Sequence, residues 1–211
     1  MDNDTGAQKR YYEGLLLEHG DHFLSLDWKD PNNQKLRFRI FEELIRTIPM
    51  KKFSVLDVGC GFGDLYGHLN RAGLRFDYTG VDISEKLLEV AAKKYPKAMF
   101  EARDILTDKK NDRYDFVFCS GLFNIRFREE PDHMEFVRSM LLRMRDISKK
   151  AVGANFLSVS AVPYVAEDDL NKNQYYYFRP EDILSFCNFI SCRYLLRHDY
   201  SSFDFSVYLF K

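Results

Sequence analysis

Val55-Leu56-Asp57-Val58-Gly59-Cys60-Gly61-Phe62-Gly63-Asp64-Leu65 decides the fold. A short apolar run feeds a glycine-rich turn, and the turn opens a helix. Glycine lets a ligand lie directly against backbone, because no side chain stands in the way. A strand, a turn and a helix in that order place such a ligand at the carboxyl end of a parallel strand, where open α/β sheets bind their ligands. The glycines fall as Gly59-x-Gly61-x-Gly63, and Asp64 occupies the place where the dinucleotide fingerprint needs its third glycine. A carboxylate at that helix start repels a pyrophosphate, so a nicotinamide-dependent oxidoreductase is disfavoured. Asp57 and Asp64 together suit a ligand with a cationic part.

Working outward, Phe76 to Val81 reads as a second strand closed by Asp82. Asp82 lies about 20 residues beyond the glycine turn, the distance expected of an acid that accepts hydrogen bonds from a ribose diol. Ser84 caps a helix over 85–95 that Pro96 stops. Further strands are predicted at 98–101, 114–119 and 150–157, the 114–119 segment being apolar enough for burial on both faces. Helices are predicted at 33–48, where apolar residues recur at helical spacing until Pro49, and at 132–147. Pro180 begins a helix to about Ile190, and strands at 194–198 and 203–210 form an antiparallel pair. The expectation is an α/β fold: a seven-stranded, mostly parallel, doubly wound sheet with an antiparallel C-terminal strand, helices on both faces and a helical N-terminal cap. One domain spans 1–211, with the cap at 1–32, a ligand-binding core at 33–157 and an acceptor-side portion at 158–211.

Composition narrows the function. Hydrophobic residues are 45% and charged residues 30% of the 211, as in a folded soluble protein. The formal net charge of -1 supplies no global basic field, which argues against a nucleic-acid partner. No apolar run approaches the roughly 20 residues of a membrane span. The acidic opening Met1-Asp2-Asn3-Asp4 does not read as a secretory signal. Cys60, Cys119, Cys187 and Cys192 contain no C-x-x-C pair and are read as reduced thiols in a cytoplasmic protein. No metal-ligand spacing is visible, and no metal is predicted.

These segments together resemble the class I S-adenosylmethionine-dependent methyltransferase superfamily. The resemblance rests on 55–65, on Gly80-Val81-Asp82-Ile83-Ser84, on Ala102-Arg103-Asp104-Ile105 and on 115–124, in that order, and covers about 33–157. It implies that Asp57, Gly59, Cys60 and Gly61 cradle the methionine portion of S-adenosylmethionine. Asp82 and Ile83 would hold the ribose, Asp104 and Ile105 the adenine, and Ser120 and Gly121 would face the cofactor. More weakly, Trp28, Gln34, Arg37 and Phe38, with Tyr175-Tyr176-Tyr177 and His198-Asp199-Tyr200, look like a bacterial subgroup of small methyltransferases. That match implies that Arg37 pairs with the cofactor carboxylate.

An activated sulfonium methyl needs positioning more than a catalytic signature. Candidate bases are His133, His22, His19 and, less so, His198. Asn124 is a candidate for hydrogen bonding to the acceptor, the tyrosine run for lining its pocket, and Arg126 and Arg128 for attracting an anionic one. Where amino-methylating relatives carry Asn/Asp-Pro-Pro-Tyr, this chain reads Ser120-Gly121-Leu122-Phe123, and the Pro-Cys nucleophile of the cytosine-carbon enzymes is absent. The expected activity is methyl transfer to an O or N atom of a small molecule, with S-adenosylhomocysteine as product. The alternatives are an RNA or protein methyltransferase of the same fold and a non-catalytic binding module.

Overall fold

The computed structural model describes residues 2–127 and 132–211, with side chains from Gly6 onward. Seven strands form one sheet: β1 (Phe53–Val58), β2 (Phe76–Asp82), β3 (Met99–Ala102), β4 (Tyr114–Cys119), β5 (Ser148–Leu157), β6 (Tyr194–Arg197) and β7 (Asp204–Phe210). Their order across the sheet is β3-β2-β1-β4-β5-β7-β6. The β1, β2, β3, β4 and β5 pairings are parallel, and β7 runs antiparallel to both β5 and β6. The final strand is therefore an interior strand, and β6 takes the edge. The winding direction reverses between β1 and β4, the place where such sheets open a crevice beyond their carboxyl ends.

Alternation along β4 explains the layers. Phe116 and Phe118 point into one apolar cluster with Val55, Phe41 and Leu44, while Val117 and Cys119 point into the other with Leu56, Val137 and Ile183. The first cluster is covered by α2 (Pro31–Thr47) and α3 (Asp64–Arg71), the second by α5 (Asp132–Ile147) and α7 (Pro180–Ile190). Helix α2 begins two residues before the predicted Asn33. The Asp30 carboxylate accepts from Asn32 N at 2.8 Å, and Pro31 takes the first turn, where its missing N–H leaves no bond unmade. Helix α4 (Glu85–Lys94) starts at the predicted Ser84 cap. Strand β5 begins at Ser148 rather than at Lys150. A 3-10 turn (Val159–Tyr164) and a short α6 (Glu167–Asn171) were not expected from the sequence. The N-terminal cap is α1 (Asp2–His19) followed by a 3-10 turn (Phe23–Leu26). Glu13 holds it to the start of α4 through Ser84 at 3.0 Å and Lys86 at 2.8 Å.

Candidate functional site

The turn after β1 is built from backbone. Gly59 N and Cys60 N both donate to Val81 O, at 2.9 and 3.1 Å, which draws the turn against the end of β2. Gly61 has φ +52°, and a methyl group added there would stand 2.8 Å from Leu26 Cδ2. Gly63 has φ +72°, and a methyl group there would stand 2.6 Å from Phe100 Cζ. Both positions therefore need glycine for conformation and for space.

Asp82 receives Gly61 N on Oδ2 and Ser84 N on Oδ1, each at 3.0 Å. The carboxylate thus couples the glycine turn to the cap of α4. Burial raises its pKa, against the pull of the N–H groups of Ser84, Gly61 and Ile83. Asp57 is 3% exposed, and its Oδ2 accepts the Tyr78 hydroxyl at 2.6 Å. Burial pushes its pKa up to about 7; the Tyr78 bond opposes the rise, and Asp82 and Asp64 add to it.

These groups open on a cavity of about 950 Å³. Arg37, Asp57, Gly59, Cys60, Gly61, Asp82, Ile83, Asp104, Ile105, Ser120, Gly121 and Asn124 all line it. Asp104 Oδ1 accepts Leu106 N at 2.9 Å and closes the turn after β3. Asn155 fixes the segment after β4: its Oδ1 accepts Gly121 N at 2.9 Å, and its Nδ2 donates to Ser120 Oγ at 3.3 Å. Asn124 Oδ1 accepts Leu157 N at 2.9 Å, so its carbonyl ties that segment to β5.

Arg37 is buried with its guanidinium 4.5 Å from the Trp28 ring. Its Nε and Nη2 donate to Asp204 at 3.1 and 2.5 Å, which leaves Nη1, lying toward Gly121. Asp204 is a partner that sequence reading missed, because 167 residues separate it from Arg37.

Several candidates lie elsewhere. None of the five histidines lines the cavity. His133 is 1% exposed on the inner face of α5, stacks on Tyr176 at 4.5 Å and has Nε2 3.0 Å from Phe123 O. Its spacing to Val137, Met140 and Met144 marks one buried helical stripe, a signal already present in the sequence. His22 caps the 3-10 turn by accepting Leu24 N, and His19 sits beside Glu18 at the end of α1. His198 lies against Phe205. Asp64 turns to α4, pairing with Lys94 at 2.9 Å, so Asp57 alone of the two turn acids faces the cavity. Arg126 packs over the Tyr176 ring at 4.9 Å rather than in the cavity, and Arg128 lies outside the described residues. Tyr175 and Tyr177 line the cavity, whereas Tyr176 points to α5, as alternation in an extended segment requires.

The cap contributes lining that no local signal announced, including Gln8, Tyr12, Leu26 and Asp27, beside the Trp28 of the entry segment. Asp27 is a non-glycine residue with φ +58°. Its Oδ2 accepts the Tyr175 hydroxyl at 2.9 Å and Gln174 Nε2 at 3.4 Å.

Residues 55–146 match the family model described as a methyltransferase domain. A "putative methyltransferase" of Mycobacterium tuberculosis is 29% identical over 161 residues, which cover 74% of this chain and 91% of that one. Trans-aconitate 2-methyltransferase of Variovorax paradoxus is 29% identical over 117 residues, 53% of this chain and 44% of that protein. Among solved structures, magnesium protoporphyrin IX methyltransferase from Synechocystis PCC 6803, with S-adenosylhomocysteine bound, shares the fold. Its TM-score is 0.71 at 17% identity, over 99% of this chain and 100% of that one.

Proposed function

We propose that this chain is a class I, Rossmann-like methyltransferase that transfers the methyl group of S-adenosylmethionine to an oxygen or nitrogen of a small molecule, releasing S-adenosylhomocysteine. One observation carries the reading: the segments after β1, β2, β3 and β4 line a single cavity at the switch point of the sheet. The donor set suits this cofactor. Gly59 and Gly61 line the cavity, Asp57 is a buried carboxylate that can take an ammonium, and Asp82 is an oriented acceptor for a sugar diol. Asp104 and Ile105 would take the adenine, and Arg37 Nη1 remains for the carboxylate.

When bound, the sulfonium supplies a methyl group that is already activated, with a neutral thioether as leaving group. The protein's part is alignment and exclusion of water, for which positioning supplies on the order of 7–11 kcal/mol. Leu26 and Trp28 close over the glycine turn and the end of β4, which serves both ends. With no histidine in the cavity lining, the proton shed by the acceptor goes to a carboxylate, a phenol or water. A small-molecule acceptor fits the walled cavity and the small molecules for which the Variovorax and Synechocystis proteins are named. The three buried free thiols, Cys60, Cys119 and Cys187, suit a reducing compartment, and we place the activity in the cytoplasm.

Calorimetric titration tests the reading. S-adenosylmethionine and S-adenosylhomocysteine are expected to bind in the micromolar range and NAD not at all. NAD binding, or silence from the two adenosyl compounds, would refute it.

A further inference from the structure

Resting on that reading, we propose that the acceptor is a hydroxyl or an amine rather than a carboxylate or phosphate, and that its O–H or N–H donates to the Asp27 carboxylate; an amine that enters as an ammonium gives up one proton to a carboxylate or water before its nitrogen attacks the methyl carbon. The placement of Asp27 is the first argument. Its neighbours grip two sides of the cofactor floor. Leu26 Cδ2 lies 2.8 Å from where a methyl group would stand on Gly61, and Trp28 Cζ2 lies 3.5 Å from the same point on Gly121. Asp27 sits between these contacts in the left-handed region, a conformation that surrounding structure must impose on a non-glycine residue. The segment that supplies its phenol is equally fixed: Arg126 N donates to Gln174 O and Tyr176 N to Asn124 O, each at 2.8 Å.

The second argument is charge. Four cationic side chains line the cavity among the described residues, and each has an acid partner. Lys29 pairs with Asp169 at 2.7 Å, Arg37 with Asp204, Arg103 with Asp108, and Lys9 with Glu13 and Glu85 at 4.0 Å. Eight carboxylates line the same cavity. Asp27 is held chiefly by neutral donors, Tyr175 and Gln174, with Tyr11 and Tyr12 of α1 also facing it and Lys29 the nearby cation. Burial raises its pKa while those donors pull it back. A carboxylate or phosphate acceptor would enter this end without an unpaired cation to receive it and against a fixed anion. An alcohol, phenol or amine would add a further donor to the carboxylate that Tyr175, Gln174 and Tyr11 already hold.

Trp28 is the chain's one tryptophan, so its fluorescence reports on the cavity alone. With S-adenosylhomocysteine saturating, the full chain is titrated with benzylamine, 4-methylphenol and benzoate, matched in size and differing in charge. The amine and the phenol are expected to bind about tenfold or more tightly than benzoate. Asp27→Asn, a residue type that accepts the left-handed backbone, is expected to shrink the gap between benzylamine and benzoate by a similar factor, with the affinity for S-adenosylhomocysteine unchanged. Benzoate binding as tightly as either partner overturns the proposal. So does failure of both the amine and the phenol to bind, or an unaltered ranking in the variant. Failure of S-adenosylhomocysteine itself to bind instead overturns the methyltransferase reading beneath it.

Discussion

Replacing Asp57 by Asn alters how stability depends on pH, and the size of the change follows from burial. The ordinary aspartate value is 3.8, and in the folded protein burial lifts it to about 7. Below about pH 4 the group is protonated folded and unfolded, and it contributes nothing to the difference. Between about pH 4 and about pH 7 the unfolded chain ionises while the folded one holds its proton, so stability falls as pH rises. At about 1.4 kcal/mol per pH unit the loss reaches on the order of 4 kcal/mol by pH 7 and then levels off. Asn at this position stays neutral and still offers an oxygen to the Tyr78 hydroxyl. The variant should therefore match the wild type near pH 4, exceed it by roughly 2 kcal/mol at pH 5, and exceed it by roughly 4 kcal/mol at pH 8. Urea denaturation at several pH values measures the gap. With slopes of about 2–3 kcal/mol per molar for a chain of this size, the midpoints should separate by about 1–2 M at pH 8. Groups that do not act on Asp57, Asp27 among them, titrate in both proteins and cancel in the difference, whereas the repulsion from Asp82 and Asp64 is part of the rise in Asp57 and is relieved in the variant. A gap that stays constant across the range would refute the reasoning. Because a bound ammonium favours the ionised form, affinity for S-adenosylmethionine should rise with pH over the same interval in the wild type and stay flat in the variant.

Asp82→Ala should weaken S-adenosylhomocysteine binding by about 100-fold or more in calorimetry, as expected from losing two hydrogen bonds to a charged group at about 1.5–3 kcal/mol each. Arg37→Met and Asp204→Leu each strand a buried charge and should cost about 3–5 kcal/mol in thermal denaturation. The double variant should recover most of that loss, whereas additive losses would show that the two charges do not depend on each other. Gly63→Ala should cost roughly 2–5 kcal/mol in urea, combining the left-handed backbone with the collision against Phe100; a cost of only about 1–2 kcal/mol would show that Phe100 yields freely, and one below about 0.5 kcal/mol would refute both parts.

The parts legible in the sequence were those written in neighbouring residues. The turn from Gly59 to Gly63, the Ser84 cap, the Pro180 start of α7 and the bounds of α5 each depend on local chemistry, and each lies where the pattern placed it. The mostly parallel, doubly wound sheet with an antiparallel C-terminal strand follows from the alternation of strands and helices. What escaped was pairing across the chain. Asp204 holds Arg37, Lys94 draws Asp64 aside, and Leu26 lies on Gly61, none of which leaves a mark at either position alone. His133 is a different kind of miss. Its place shortly after β4 suggested the rim of a site, but the helical stripe it shares with Val137 and Met140 assigns it to the apolar interior.

The interior place of β7 sets a schedule for synthesis. A ribosome synthesises β1 to β6 before Asp204–Phe210, and until that stretch emerges β5 and β6 have no common neighbour to join them. The same stretch brings the counter-ion of Arg37, so the nascent sheet and the wall of its cavity are completed in a single late event. Ribosomes halted before residue 204 would hold a protease-sensitive chain with an open flank.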